Sequence, residues 1–327
     1  MADSLTGGIN SDATLSQTTK DIINSVIAEI TGTGTVPSVV TVDGTSVVSG
    51  VDANNHYQGV IVQSDAPVTG TVIIGTSNND VILPANVGLT SQGLATAVTA
   101  DVANTYLLDL IAAALPSTST NPEVITQRAA LTTAVNQILS ANPNTTSAVN
   151  VINVIDSTTV GSAPQNIVIN SNNASDILAI NMSGVRDGNT LVLGDVSSAV
   201  IVGSGTVQVS GTTPAIVIGD SSNQMITGGT GSDTLVGGGG SDTLVGGTGN
   251  NTFGFNAAGQ YTVSNVGDGD SLQFNILGVT NFAQLATLVT GSTTENDNTI
   301  YTFVGGSTIT LVGITPDQVT ANLIAFV

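Results

Sequence analysis

Three consecutive nine-residue segments share one pattern: GGTGSDTLV at 228–236, GGGGSDTLV at 237–245 and GGTGNNTFG at 246–254. The segment before them, GDSSNQMIT at 219–227, keeps the phase in degraded form. Each unit has a loop half and a strand half. Glycine permits positive φ and close approach of one backbone to another, so carbonyl oxygens converge where glycines cluster. Asp233 and Asp242, at the sixth place of their units, add a charged oxygen. Thr-Leu-Val then makes a minimal strand with its Leu directed inward. Hard oxygen ligands with no His or Cys in the pattern favour Ca²⁺ over transition metals.

Stacked turns nine residues apart put alternate loops on opposite sides, so loops eighteen residues apart are neighbours along one edge. A cation between them would be bound by carbonyls from both loops and a carboxylate from at least one. A flexible glycine-rich linker, the plain alternative, has no need for Asp and Leu at a fixed phase.

This segment resembles the RTX, or hemolysin-type, calcium-binding repeat, G-G-x-G-x-D-x-U-x. Two units match in full. The third keeps Gly246, Gly247 and Gly249 but has Asn251 where Asp is expected. The fourth keeps Gly219 and an apolar Ile226, with Gln224 at the sixth place. The resemblance implies a parallel β-roll with calcium between turns. The metal ligands it implies are Gly228, Gly229, Gly231 and Asp233; Gly237, Gly238, Gly240 and Asp242; Gly246, Gly247, Gly249 and Asn251; and Asp220. Asp233 should pair with the 246–251 loop, and Asp242 with the 219–224 loop. Asn251 and Gln224 are neutral, so each site has fewer charges than a full one. That predicts affinities of roughly 10⁻⁴ to 10⁻³ M, as in extracellular modules. GTSNNDVIL at 75–83 and SNNASDILA at 171–179 are distant cousins, in which Asp80 and Asp176 either bind calcium or end a turn. Asp268 and Asp270 fit a cation site and a solvated turn equally.

Several elements must position these loops. Leu15–Ile30 reads as a helix, with Ile22, Ile23, Val26, Ile27 and Ile30 at helical spacing and glycines just beyond its end. Residues 36–86 switch to β-branched runs such as Val39–Val42, Gly59–Val62 and Val72–Ile74. Two further helices, about Ser91–Leu115 and Pro122–Ala141, read as an inserted hairpin, with Asn121 and Pro122 opening the second. From Ala148 onward short strands recur between Gly, Asn and Ser turns. They suit stacked solenoid rungs, though a sandwich would give similar text.

The predicted fold is therefore mainly β: a parallel β-roll or β-solenoid with nonapeptide calcium repeats, an N-terminal helix and an inserted helical hairpin. Its divisions are an N-terminal helical segment (1–34), a β region (35–87), the hairpin (88–145), a solenoid-like region (146–218), the calcium roll (219–254) and a C-terminal β flank (255–327).

Composition narrows function. Asp and Glu total 23 against three basic residues, Lys20, Arg128 and Arg186. Nucleic acid and anionic membrane surfaces are poor partners for that charge. The unpaired acids either solubilise loops or await a divalent cation. Cys is absent, which excludes disulfides and thiolate metal sites. No run approaches the roughly 18 apolar residues of a membrane span. No Lys/Arg-led apolar stretch opens the chain, so no cleavable N-terminal export signal is expected. The resemblance implies instead a C-terminal signal read by type I export machinery, and the apolar LIAFV ending fits it.

His56, the single histidine, reads as a surface-loop residue. No HExxH, GxSxG or GKS/GKT motif appears. A carboxylate-only site would ordinarily add aromatic sugar platforms, and Trp is absent. The expectation is a protein without enzymatic activity.

Richness in Thr, Ser, Ala, Val, Asn and Gly with almost no Lys or Arg is similar to the composition of Gram-negative S-layer proteins that carry RTX repeats. The expected function is a secreted calcium-binding structural protein. It would fold and self-assemble outside the cell into a surface layer or an extracellular, biofilm-type matrix fibre, with itself and cell-surface polysaccharide as partners. Alternatives are an RTX-tailed adhesin or glycan-binding module and, further off, a secreted hydrolase.

Overall fold

The structure is a computed structural model. It describes the strand residues between 38 and 94, residues 149–156, 163–171, 177–274 and 279–326, and positions 10, 11, 24, 67, 84–86 and 138. The chain divides into two compact units, Met1–Tyr106 with Pro143–Val196, and Leu107–Asn142 with Ser197–Val327.

The first unit holds β1 (Ser38–Val42), β2 (Thr45–Val51), β3 (His56–Ile61), β4 (Val68–Ile74), β5 (Ser77–Leu83), β6 (Val87–Leu94), β7 (Val149–Asp156), β8 (Asn166–Ser171), β9 (Ile177–Asn181) and β10 (Thr190–Gly194). Strands β1, β2, β3, β6 and β7 pair antiparallel in that order, and so do β4, β5 and β8. Pairing then turns parallel, β7 with β9 and β8 with β10. The parallel pairing makes β7, β8, β9 and β10 solenoid rungs rather than sandwich strands. Inward residues alternate along them, as Ile167, Ile169, Leu191 and Leu193 are fully buried. A polar clasp holds the 182–189 connection. Asp156 Oδ2 accepts from Arg186 N (3.1 Å) and Asn189 Nδ2 (2.7 Å), while Arg186 Nη2 donates to Ala163 O and Asn189 Oδ1, both at 2.9 Å.

Three expectations change here. The first hairpin helix cannot begin at Ser91, because 91–94 closes β6, with Ser91 opposite Ile152. Val87, Leu89 and Ser91 are buried on this strand, and its pairing with β3 and β7 overrides the helical spacing further on. His56 opens β3 rather than sitting in a loop. Asp80 lies inside β5, opposite Thr71 and Asn170, not in a repeat-type turn. Asp176 lies outside the described residues. So do the N-terminal helix and the hairpin except for Asn24 and Ile138, which are helical.

The second unit stacks two parallel ladders. One contains β11 (Ser198–Val202), β13 (Ile216–Ile218), β15 (Thr234–Val236), β17 (Thr252–Phe255), β19 (Ser271–Phe274) and β23 (Ile324–Phe326). The other contains β12 (Gly205–Ser210), β14 (Gln224–Thr227), β16 (Gly240–Val245), β18 (Gly259–Ser264) and β22 (Thr308–Leu311). Consecutive repeats thus feed opposite ladders, and neighbours in a ladder lie eighteen residues apart: Ile216 faces Thr234 and Met225 faces Thr243. The spacing lengthens to nineteen after the third repeat, where Thr252 faces Ser271.

The eighth-place residue of each unit points inward. Val207, Ile226, Leu244, Val263 and Leu311 form one fully buried column, and Val217, Leu235, Phe253 and Leu272 another. Beyond the repeats, β20 (Val289–Glu295), β21 (Asn298–Phe303) and β22 form an antiparallel meander. A short helix, α1 (Phe282–Leu288), precedes it, capped by Asn281. All six phenylalanines of the chain lie in 253–326. Four of them join Tyr261 in a chain of ring contacts: Phe255 to Tyr261 and to Phe274 at 5.1 Å, then Phe274 to Phe303 at 6.2 Å and to Phe326 at 6.5 Å. This cluster sits at the C-terminal end of the stack, where a solenoid must cover its last rung.

Candidate calcium-binding site

The glycine turns bring main-chain oxygens together. Gly238 (φ +88°) and Gly247 (φ +83°) adopt a left-handed backbone that side chains disfavour. A methyl group on Gly238 would collide with the carbonyls of Gly219 and Asp220, and one on Gly247 with those of Gly228 and Gly229. These oxygens belong to the turn eighteen residues earlier, as the repeat spacing requires.

The first glycine of three of the four units marks a second convergence. Gln224 Oε1 and Gly237 O meet at Gly219; Asp233 Oδ2 and Gly246 O meet at Gly228. At Gly246 the side-chain amide of Asn251 and the carbonyl of Asn265 come together. Each place thus combines the sixth-place side chain of one turn with a carbonyl of the next.

Along one edge the sixth-place residues form a hydrogen-bonded ladder. Asp233 Oδ1 accepts from Ala215 N (2.9 Å) and its Oδ2 from Gly229 N (2.8 Å). Asn251 Oδ1 accepts from Asp233 N (3.0 Å). Asp233 thus meets the 246–251 loop through its backbone N–H on Asn251 Oδ1, with the Gly246 carbonyl near its Oδ2, while its carboxylate reaches back to the preceding turn. Asp270 extends the edge, accepting from Asn251 N (2.6 Å) and Gly267 N (2.7 Å). Of the two residues left open by sequence, Asp270 is buried in this ladder and Asp268 is exposed. The legible signal was NVGDGDSLQ at 265–273, which has Asp sixth and Leu eighth once the extra residue Phe255 is allowed for.

The opposite edge is less satisfied. Asp242 Oδ1 accepts from Gln224 N (2.9 Å), linking it to the 219–224 turn, but Oδ2 is buried with no hydrogen-bond partner. Gln224 Oε1 is likewise buried and unpartnered. Tyr261 faces Asp242 in register, and its ring packs beside Gly237 where another acid would extend the series. Burial pushes the Asp242 carboxyl up from 3.8 to about 8; the backbone N–H of Gln224 opposes the rise and the charge of Asp220 adds to it. Burial first, and then Asp242, raise the Tyr261 hydroxyl. Asp220 is itself buried, its carboxylate taken up by Gly203, Ser222 and Gln224.

The oxygen set fits calcium. Two buried side-chain oxygens lack donors, and the surrounding groups are carbonyls and carboxylates. Among the described residues no three His, Cys, Asp or Glu side chains cluster. Main-chain carbonyls must therefore supply most ligands, which explains the glycines.

Residues 218–253 match the RTX calcium-binding nonapeptide repeat in four copies. This part of the chain is an RTX-type repeat, and such repeats bind Ca²⁺. Among solved structures, the extracellular lipase LipA from Serratia marcescens is similar over 52% of this chain and 41% of its own, at 14% identity and a TM-score of 0.22. The match thus spans less than half of that lipase's length. No curated protein is significantly similar to this chain. Among the described residues, no helix is long and apolar enough to cross a membrane.

Proposed function

We propose that this is a secreted structural protein, without enzymatic activity, whose repeat closes when calcium arrives and whose folded form assembles with itself into a surface layer or matrix fibre. In low calcium, unpaired carboxylates and glycine-rich turns oppose closure through repulsion and chain entropy. Outside the cell, millimolar calcium binds the folded form and draws the equilibrium over. The observation that carries the folding step is the buried, donorless Asp242 Oδ2, on the turn whose Gly238 packs against the Gly219 and Asp220 carbonyls.

Assembly is supported by the sheet margins. Among the described strands, β1 (SVVTV) and β4 (VTGTVII) each pair on one side only. Neither carries a charge or a proline, the usual guards against strand addition. Type I export is the route this reading requires, and cell-surface polysaccharide is its natural anchor.

Light scattering after size exclusion, with electron microscopy, in calcium and in EGTA tests the proposal. Calcium-dependent sheets or fibres are expected. A calcium-folded protein that stays monomeric at high concentration would overturn assembly and favour a binding module.

A further inference from the structure

We infer that Gln224 takes the place of a calcium ion at the first step of the Asp242 edge, so that the turns before it close without metal. This rests on the calcium-gated folding proposed above. Gln224 is 2% exposed. Its Nε2 donates to Asp220 Oδ1 and to Gly203 O (3.1 Å), a carboxylate on its own turn and a carbonyl one turn earlier. Bridging such a pair is what a cation held between turns would do. Both partners can only accept, which fixes the amide with its NH₂ toward them. Two donors then meet two acceptors. The rest of Asp220 is used as well: Oδ2 accepts from Gly203 N (3.1 Å) and Ser222 Oγ (3.2 Å), and Oδ1 also accepts from Ser222 N (2.9 Å).

The other face of the same amide behaves oppositely. Gln224 Oε1 and the Gly237 carbonyl converge at Gly219, and Oε1 has no donor; neither has Asp242 Oδ2 on the following turn. Gln224 therefore marks a boundary. The step on its nitrogen side is complete, and the calcium requirement begins on its oxygen side. Such a boundary leaves a preformed rung in low calcium on which the repeats then stack.

Gln224→Glu keeps the shape but sets a second carboxylate against Asp220 and the Gly203 carbonyl, which restores a need for the ion. Native mass spectrometry in calcium should count one more bound Ca²⁺ than in the parent. In EGTA, the Gly203 and Ser222 amides of the variant should exchange at least tenfold faster. An unchanged count overturns the inference, as does a variant that stays unfolded in excess calcium. Hydrogen exchange on the parent chain is the second measurement. After chelation Gly203 and Ser222 should keep protection while Ala215 and Gly229, held by Asp233, lose it. Loss at all four together overturns the role of Gln224 and leaves gated folding standing. Protection retained at Ala215 and Gly229 instead removes gated folding, and the calcium count in Gln224→Glu still decides the role of the amide.

Discussion

Asp233 and Asp242 hold the same place in consecutive repeats, yet their surroundings differ. Both oxygens of Asp233 receive backbone N–H groups, whereas Asp242 keeps one oxygen without a donor. Replacing both by Asn should move calcium-induced folding, followed by circular dichroism, to at least tenfold higher calcium; an unchanged titration would remove both from the site. Asp242 also gives a pH dependence. Its folded carboxyl titrates near 8 and its unfolded one near 3.8. The stability its protonated form contributes is therefore intact below about pH 4 and lost as pH rises toward 8. In EGTA the melting temperature should fall over that range, and Asp242→Asn should flatten the slope. Gly238→Ala meets two obstacles, a left-handed backbone costing about 1–2 kcal/mol and a clash with the Gly219 and Asp220 carbonyls. It should abolish the calcium-induced β signal.

At the scale of elements, the rungs are held by inward columns whose members lie one turn apart. Leu235 is fully buried between Val217 and Phe253. Leu235→Ala should cost about 2–5 kcal/mol, read by denaturant unfolding in saturating calcium. The repeat was the most legible part of the fold because phase, glycine position and inward Leu all specify one geometry. The eighteen-residue register followed from it directly. Other parts were harder to read. Strand β6 was hidden because its Gly- and Ser-containing sequence, VGLTSQGL, runs straight into apolar residues at helical spacing. The Asp270 rung was obscured by the single extra residue at 255, which shifts the phase by one. The clasp of Asp156, Arg186 and Asn189 spans more than thirty positions, from 156 to 189, and no local pattern announces it. Gln224 read as a decayed ligand, because which way an amide faces depends on partners that only the stacked turns supply.

For the whole molecule, a formal charge of −20 makes calcium a counterion as well as a clamp. With dissociation constants of roughly 10⁻⁴ to 10⁻³ M, calcium at about 10 mM should add about 1.4–2.7 kcal/mol per site. Thermal melts over a calcium series should rise continuously across that range, whereas magnesium, which demands tighter octahedral geometry, should do far less.

The alternation of units between two ladders gives the chain a built-in parity. Splicing an even pair of consensus units, eighteen residues, between Val236 and Gly237 would return every downstream strand to its own sheet and lengthen the stack by about 4.8 Å. A single unit of nine would send β17 and β19 to the wrong side and strand the aromatic plug of Phe255, Phe274 and Phe303 half a rotation from its seat. Engineered variants of this protein should therefore grow in twos, and odd-numbered ones should stay open at the C-terminal end whatever the calcium concentration.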